Sequence, residues 1–307
     1  MRDTFVKRLT ELAREDSRIM LVTGDLGFGV LTSYAAELPA QYLNAGVAEQ
    51  NMTGMATGMA MEGRIVFTYS IANFTILRCL EQLRNDAAYH GASVKAVAIG
   101  GGFSYGALGM SHHATEDLAI MRAIPDIDVL APCCPWEVEN ITSALAARPG
   151  TAYLRLDKSS PGRTDRAGEA FELGKARTLR EGTDLTIAAI GGILEEALAA
   201  AASLAEDGIE CRVIAFHSLS PFDREAVVAC CSETGGLLTV EEHQVSGGLA
   251  GAVAEASLEA GVTPKVFGRI GLRDTFSSVV GSQQYLRQRY GLDRGSIATT
   301  AKRLLSR

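Results

Sequence analysis

The chain has 307 residues, 47% of them hydrophobic and 21% charged, with a net charge of −7. That length exceeds what one core usually organises, so two domains are expected. The acidic balance, with no long basic run, argues against nucleic acid or an anionic membrane as main partner.

Residues 3–15 read as a helix, 19–23 as a buried strand and 24–29 as the turn leaving it. The turn is rich in glycine but matches neither GxGxxG nor GxxxxGK, so it is read as a turn and not a phosphate loop. Residues 42–45 form a short strand. It delivers Gly46-Val47-Ala48-Glu49-Gln50 at its C-terminal end, where ligand sites of α/β sheets lie. The helix that follows runs to Met61, with Met52, Met55 and Met59 at helical spacing. Gly54 and Gly58 leave one face bare. A glycine inside a helix costs roughly 1 kcal/mol against alanine, so the pair implies close approach of another backbone. The helix is expected to be buried nearly all round, with Glu49 in its first turn. The helix dipole favours a carboxylate there whatever else it does.

Next come a strand at 64–68, a helix at 74–89, a strand at 94–99 and a glycine-rich segment at 100–109. Thr115 is read as the N-cap of a helix ending at Arg122, with Asp117 in its first turn. A strand at 128–130, a helix at 135–147 and a strand at 151–156 complete this unit. In the second unit the strands are 185–190, 210–215, 236–240 and 265–267, and the helices 193–206, 222–231, 247–258 and 293–305. Such alternation gives parallel sheets covered by helices on both faces. The expected fold class is α/β, as two consecutive parallel-sheet domains over 1–160 and 183–307 with a surface linker at 161–182.

The six cysteines include two adjacent pairs and no CxxC, which reads as reduced, buried thiols in a cytoplasmic protein. Met1-Arg2-Asp3-Thr4 carries no apolar signal region, and no apolar stretch reaches the roughly 18 residues of a membrane span. No HExxH occurs. His90 is read as a helix-end histidine, and His217 as a surface or domain-contact residue. His112 and His113 follow the glycine-rich loop at the same sheet edge as Glu49. There they are either substrate contacts or structural. Arg155 is an isolated cation at that edge, with a domain-contact ion pair as the equal alternative. Glu241, Glu242 and His243 are read as structural.

Four segments in one order then carry a resemblance: Gly46-Val47-Ala48-Glu49-Gln50, Tyr69-Ser70-Ile71-Ala72-Asn73-Phe74, Gly109-Met110-Ser111-His112-His113, and Thr239-Val240-Glu241-Glu242-His243-Gln244 with the glycines after it. Together they resemble the C-terminal half of transketolases, the pyrimidine-binding domain followed by the C-terminal domain. The resemblance covers nearly the whole chain. The GDG signature of the half that binds diphosphate and metal is absent, so the chain resembles one subunit of a split transketolase.

The resemblance implies thiamine diphosphate as cofactor, with Mg2+ or Ca2+ held by the diphosphate and an N-terminal partner subunit. It implies that the carboxyl of Glu49 bonds the pyrimidine ring nitrogen and so favours the imino form that deprotonates the thiazolium. Phe74 is the expected stacking aromatic, with Tyr69 second; the family's usual first stacking position falls on Ile71. His112 matches the active-site histidine, Arg155 a phosphate-binding arginine and Arg2 a second one, with His113 beside the substrate. A loop histidine of the family falls on Gly100 and a sugar-reading aspartate on Leu108, which points away from pentose phosphates to a deoxy, unphosphorylated or otherwise unusual sugar. A homodimeric core carrying two partner chains, a heterotetramer, is implied. The alternatives are a 1-deoxyxylulose-5-phosphate synthase-like enzyme, the β subunit of a 2-oxoacid dehydrogenase, or a non-catalytic scaffold.

Overall fold

The computed structural model describes residues 1–306. Helix α1 (Arg2–Glu15) turns the row Phe5, Leu9 and Ala13 inward. Strand β1 (Ile19–Thr23) is buried along its whole length, as befits a strand covered on both faces. The first unit continues with α2 (Thr32–Glu37), β2 (Tyr42–Asn44), α3 (Glu49–Met61), β3 (Ile65–Ile71), α4 (Ala72–Ile76), β4 (Val94–Ile99), α5 (Asp117–Arg122), β5 (Ile127–Leu130), α6 (Pro135–Ala147) and β6 (Thr151–Leu156). The second contains β7 (Arg177–Arg180), β8 (Leu185–Ile190), α7 (Leu194–Glu206), β9 (Cys211–Phe216), β10 (Ser218–Ser220), α8 (Arg224–Glu233), β11 (Leu237–Gln244), α9 (Leu249–Glu259), β12 (Phe267–Leu272), α10 (Gln283–Arg289) and α11 (Arg294–Leu305).

These strands make a seven-stranded sheet, β10-β5-β6-β4-β3-β1-β2, and a five-stranded sheet, β12-β11-β8-β9-β7. Both are parallel except at one edge, where β10 and β7 run antiparallel to their neighbours. Helices α1 and α6 cover one face of the first sheet through Phe5, Leu9, Val138, Ile141 and Leu145. On the other face, Met52 and Ala56 of α3 pack on Val22, Val66 and Val94. In the second sheet, α7 and α11 bring Leu194, Ala201, Ile297 and Leu304 to one side. The opposite side merges Ile190, Phe216 and Val253 with Leu118 and Val129 of the first unit in one core. Among the described residues, no helix is long and apolar enough to cross a membrane.

The α/β class holds, with several departures in detail. The segment expected as linker contains β7, which pairs with β9. Three short elements, α2, β10 and α10, have no counterpart in the sequence pattern. The helix expected at 74–89 begins at Ala72, breaks after Ile76 and resumes as a π-helix over Gln82–Ala88, whose wider turn places Leu83, Ala87 and Ala88 inward. The N-cap of α5 is Glu116, with no side-chain cap bond; the Thr115 hydroxyl bonds Glu116 instead, at 2.9 Å. The last strand lies at 267–272, not 265–267. Helix α3 is not enclosed by its own chain. A Cβ at Gly54 or Gly58 would meet nothing within 4 Å, and Met61 is exposed.

Candidate active site

The C-terminal ends of the parallel strands collect the polar groups. Gly24 follows β1, Glu49 opens α3, Phe74 and Arg78 follow β3, the loop 100–114 follows β4, and Lys158 lies just beyond β6. The Glu49 side chain is 2% exposed. A Cβ on Gly24 would stand 3.1 Å from Glu49 Cγ, so glycine there leaves the carboxylate its room. A buried carboxylate without a partner would cost several kcal/mol. Arg78 supplies the counter-charge, donating from Nη1 to Glu49 Oε2 at 2.9 Å. The Ser70 hydroxyl stands 3.5 Å from Oε1, at the limit of a hydrogen bond.

The same guanidinium lies over the Phe74 ring, 4.5 Å from its centroid. Phe74 meets the His112 ring edge-on at 5.2 Å. His112 Nδ1 is 3.0 Å from the Ser111 hydroxyl, and Tyr105 stands edge-on to the imidazole at 6.3 Å. Over the Tyr105 ring sits the Lys158 ammonium, at 3.7 Å. A continuous run of side chains thus crosses the sheet edge from Glu49 to Lys158. Burial, then the neighbouring His113, lowers the pKa of His112, so its imidazole is neutral at neutral pH. Burial, then Arg2, lowers the pKa of Lys158.

The loop carrying Tyr105 and His112 is fixed at its base. Gly102 and Ala114 exchange both backbone hydrogen bonds, at 2.8 and 3.0 Å. Gly102 has φ +56°, and a Cβ there would collide with Glu242 Oε1. That oxygen accepts from Phe103 N at 2.5 Å and from Gln283 at 2.8 Å, while Arg287 bonds the other carboxylate oxygen. Asn73 donates to the carbonyls of Ser111 and His113, at 3.1 and 3.0 Å. A Cβ on Gly100 would run into the Tyr105 ring, so Tyr105 fills the space of a side chain at that position.

Comparison with known proteins follows the same division. The family description "Transketolase, pyrimidine binding domain" matches residues 1–162, and "Transketolase, C-terminal domain" matches 174–297. The chain belongs to the transketolase family. It is 38% identical over 302 residues to an apulose-4-phosphate transketolase subunit from Phocaeicola vulgatus, covering 98% of this chain and 96% of that one. It is 37% identical over 308 residues to the 6-deoxy-6-sulfo-D-fructose transketolase subunit SqwH of Clostridium sp. strain MSTE9, covering 100% and 95%. Among solved structures it resembles a split-gene transketolase described as an inactive β4 tetramer, with TM-score 0.88, 35% identity and coverage of 99% and 97%.

Within this transketolase frame, Glu49, Phe74 and His112 fall together at one edge. Arg2 is exposed there, bonded to Asp3 at 2.8 Å, and Ile71 ends β3 immediately before α4. Three other expectations need correction. Tyr69 is buried on the inner side of β3 and stacks on Phe5 at 6.3 Å, so its ring is unavailable to a ligand. His113 is buried beneath the loop, with Nε2 3.1 Å from the Gly106 carbonyl and its ring edge-on to Phe103. It therefore braces the loop and does not face substrate.

Arg155, 2% exposed, gives Nε to Asp157, Nη1 to Asp117 and Nη2 to the Glu242 carbonyl at 3.0, 3.1 and 3.1 Å. With those bonds made and its side chain buried, its guanidinium joins the two domains and is not open to a substrate phosphate. Glu241 caps α9 by accepting from Leu249 and Ala250, and His243 bonds the Gln244 carbonyl, both structural.

Sequence reasoning misses Arg78, Tyr105 and Lys158. Lys158 carries a usable signal, since it follows a strand's C-terminal end; Arg78 carries none, because its helix reads without a break. Among the described residues, no group of three or more His, Cys, Asp or Glu is placed to hold a metal.

Proposed function

We propose that this chain is the pyrimidine-binding subunit of a two-chain, thiamine-diphosphate-dependent enzyme that moves a two-carbon ketol unit between sugars bearing a terminal anion. The carrying observation is the buried carboxylate of Glu49 and the partly open Phe74 ring, both touched by one guanidinium, with Gly24 leaving space against the carboxylate. This pairing of carboxyl and aromatic face fits an aminopyrimidine, which needs one partner for its ring nitrogen and one for its π-face. Thiamine diphosphate, when bound, supplies the electron sink for making and breaking a carbon–carbon bond beside a carbonyl.

With the cofactor bound, Glu49 would hydrogen-bond the ring nitrogen and so favour the tautomer that the chemistry needs. Phe74 fixes the ring plane. Neutral His112 accepts or returns a proton at a substrate hydroxyl. Arg2 and Lys158, at the mouth, hold the substrate's terminal anion, and the phosphate and sulfo groups in the relatives' names support that charge choice. The diphosphate and its Mg2+ belong to the partner subunit. The bare face of α3 awaits a second copy of this chain, giving a homodimeric core. Six free, buried cysteines suit a reducing cytoplasm.

The test mixes the chain with its diphosphate-binding partner, thiamine diphosphate and magnesium, and compares wild type with Glu49→Ala. Loss of at least about 100-fold in ketol transfer is expected, since the group acts on the chemical step. Equal rates would remove Glu49 from catalysis. Consumption of pyruvate in place of a ketose would move the chain to the synthase-like or dehydrogenase reading.

A further inference from the structure

The Arg78 guanidinium occupies the two side chains assigned above to the cofactor ring. It donates to Glu49 Oε2 at 2.9 Å and lies over the face of Phe74 at 4.5 Å. A guanidinium is planar with polar nitrogens at its edge, and an aminopyrimidine shares that flat shape, although its ring nitrogen accepts where the guanidinium donates. The Glu49 carboxylate is almost wholly buried, whereas the Arg78 side chain is 45% exposed. The acid is therefore fixed and the base is free to swing outward. At Arg78 the helix is interrupted by a turn over residues 77–79, between Ile76 and the helix that resumes at Leu80 and passes into the π-helix at Gln82. Arg78 thus stands on a turn and not in a continuous helical ladder.

We propose that Arg78 is a positioning residue: it occupies the aminopyrimidine's place on Glu49 and Phe74 in the unloaded subunit and leaves as the cofactor enters. The inference rests on the proposed function and adds to it an internal competitor for the ring. Loading then exchanges a guanidinium that donates to the carboxylate for a ring nitrogen that accepts from the carboxyl, which takes up one proton from solvent as the cation leaves, so the buried acid is never left without a partner.

The experiment titrates thiamine diphosphate by calorimetry, with magnesium, into the chain assembled with its diphosphate-binding partner. Wild type is compared with Arg78→Met and Arg78→Lys, and association rates are recorded by stopped flow. Arg78→Met is expected to bind at least fivefold tighter and to associate faster. Arg78→Lys, which keeps the charge but loses the flat face, falls between. A merely structural arginine would weaken binding when removed. Unchanged or weaker binding in Arg78→Met overturns the proposal. If Glu49→Ala still abolishes ketol transfer in that case, the function stands without it. If Glu49→Ala is fully active, both fall.

Discussion

Arg155 and Lys158 lie three positions apart and have opposite fates. In β6 every side chain is buried, so alternation cannot tell which residue reaches solvent. Arg155 therefore reads in the sequence as either a substrate cation or a domain-contact ion pair, and its three bonds lie within the domain junction. Lys158 lies just beyond the strand and is exposed. Lys158→Ala is expected to raise KM for a phosphorylated or sulfonated sugar about tenfold with little change in kcat, because it removes binding common to ground and transition states. Initial rates with charged and uncharged sugars check this, and an equal effect on both would remove the anion role. Glu49 is legible because it heads a helix at a strand end. Tyr69 is misread for want of a strand boundary: with β3 ending at Ile71, not near Thr68, its ring lies inside.

At the scale of elements, the apolar runs of β1, β4, β6 and β8 and the amphipathic helix α1 are readable from period and composition. The short pieces are not. β10 is Ser218-Leu219-Ser220, too brief for any pattern, and it exists because β5 offers it an antiparallel edge. The loop 100–114 likewise owes its shape to the second domain. Gly102, at φ +56° and with Glu242 Oε1 where a Cβ would lie, has no room for a side chain. Gly102→Ala is expected to cost about 2 kcal/mol or more and to lower activity more than stability alone predicts, since the loop carries Tyr105 and His112. Denaturation midpoints and kcat measured together decide it; a variant with wild-type values in both would show the loop base to be plastic.

The two units behave as one molecule because polar as well as apolar contacts cross between them. His217 sits at this seam, between β9 and β10. Its carbonyl accepts from Ala131 N at 2.9 Å, and its Nε2 accepts from Gly174 N at 3.1 Å. A proton on Nε2 would face that N–H donor. Burial lowers the pKa of His217 below 6.5, with Glu137 opposing and Arg177 assisting. The unfolded chain therefore takes up the proton first as pH falls, and stability drops from about pH 6.5 downward. Urea midpoints at pH 7.5 and 5.5 are expected to differ in wild type and to differ less in His217→Gln, with His112 supplying the remainder; an unchanged difference would assign the acid sensitivity elsewhere.

The crossing of β10 also sets an order of events during synthesis. Roughly sixty residues separate the end of β6 from β10. At about 5–20 residues per second, a ribosome needs roughly 3–12 s to translate that interval. For those seconds the nascent first sheet carries an open edge at β5, the kind of edge on which a neighbouring chain can template. A polysome making this protein therefore has a brief window in which a chaperone, or a second nascent chain, can reach that edge before its own last strand arrives.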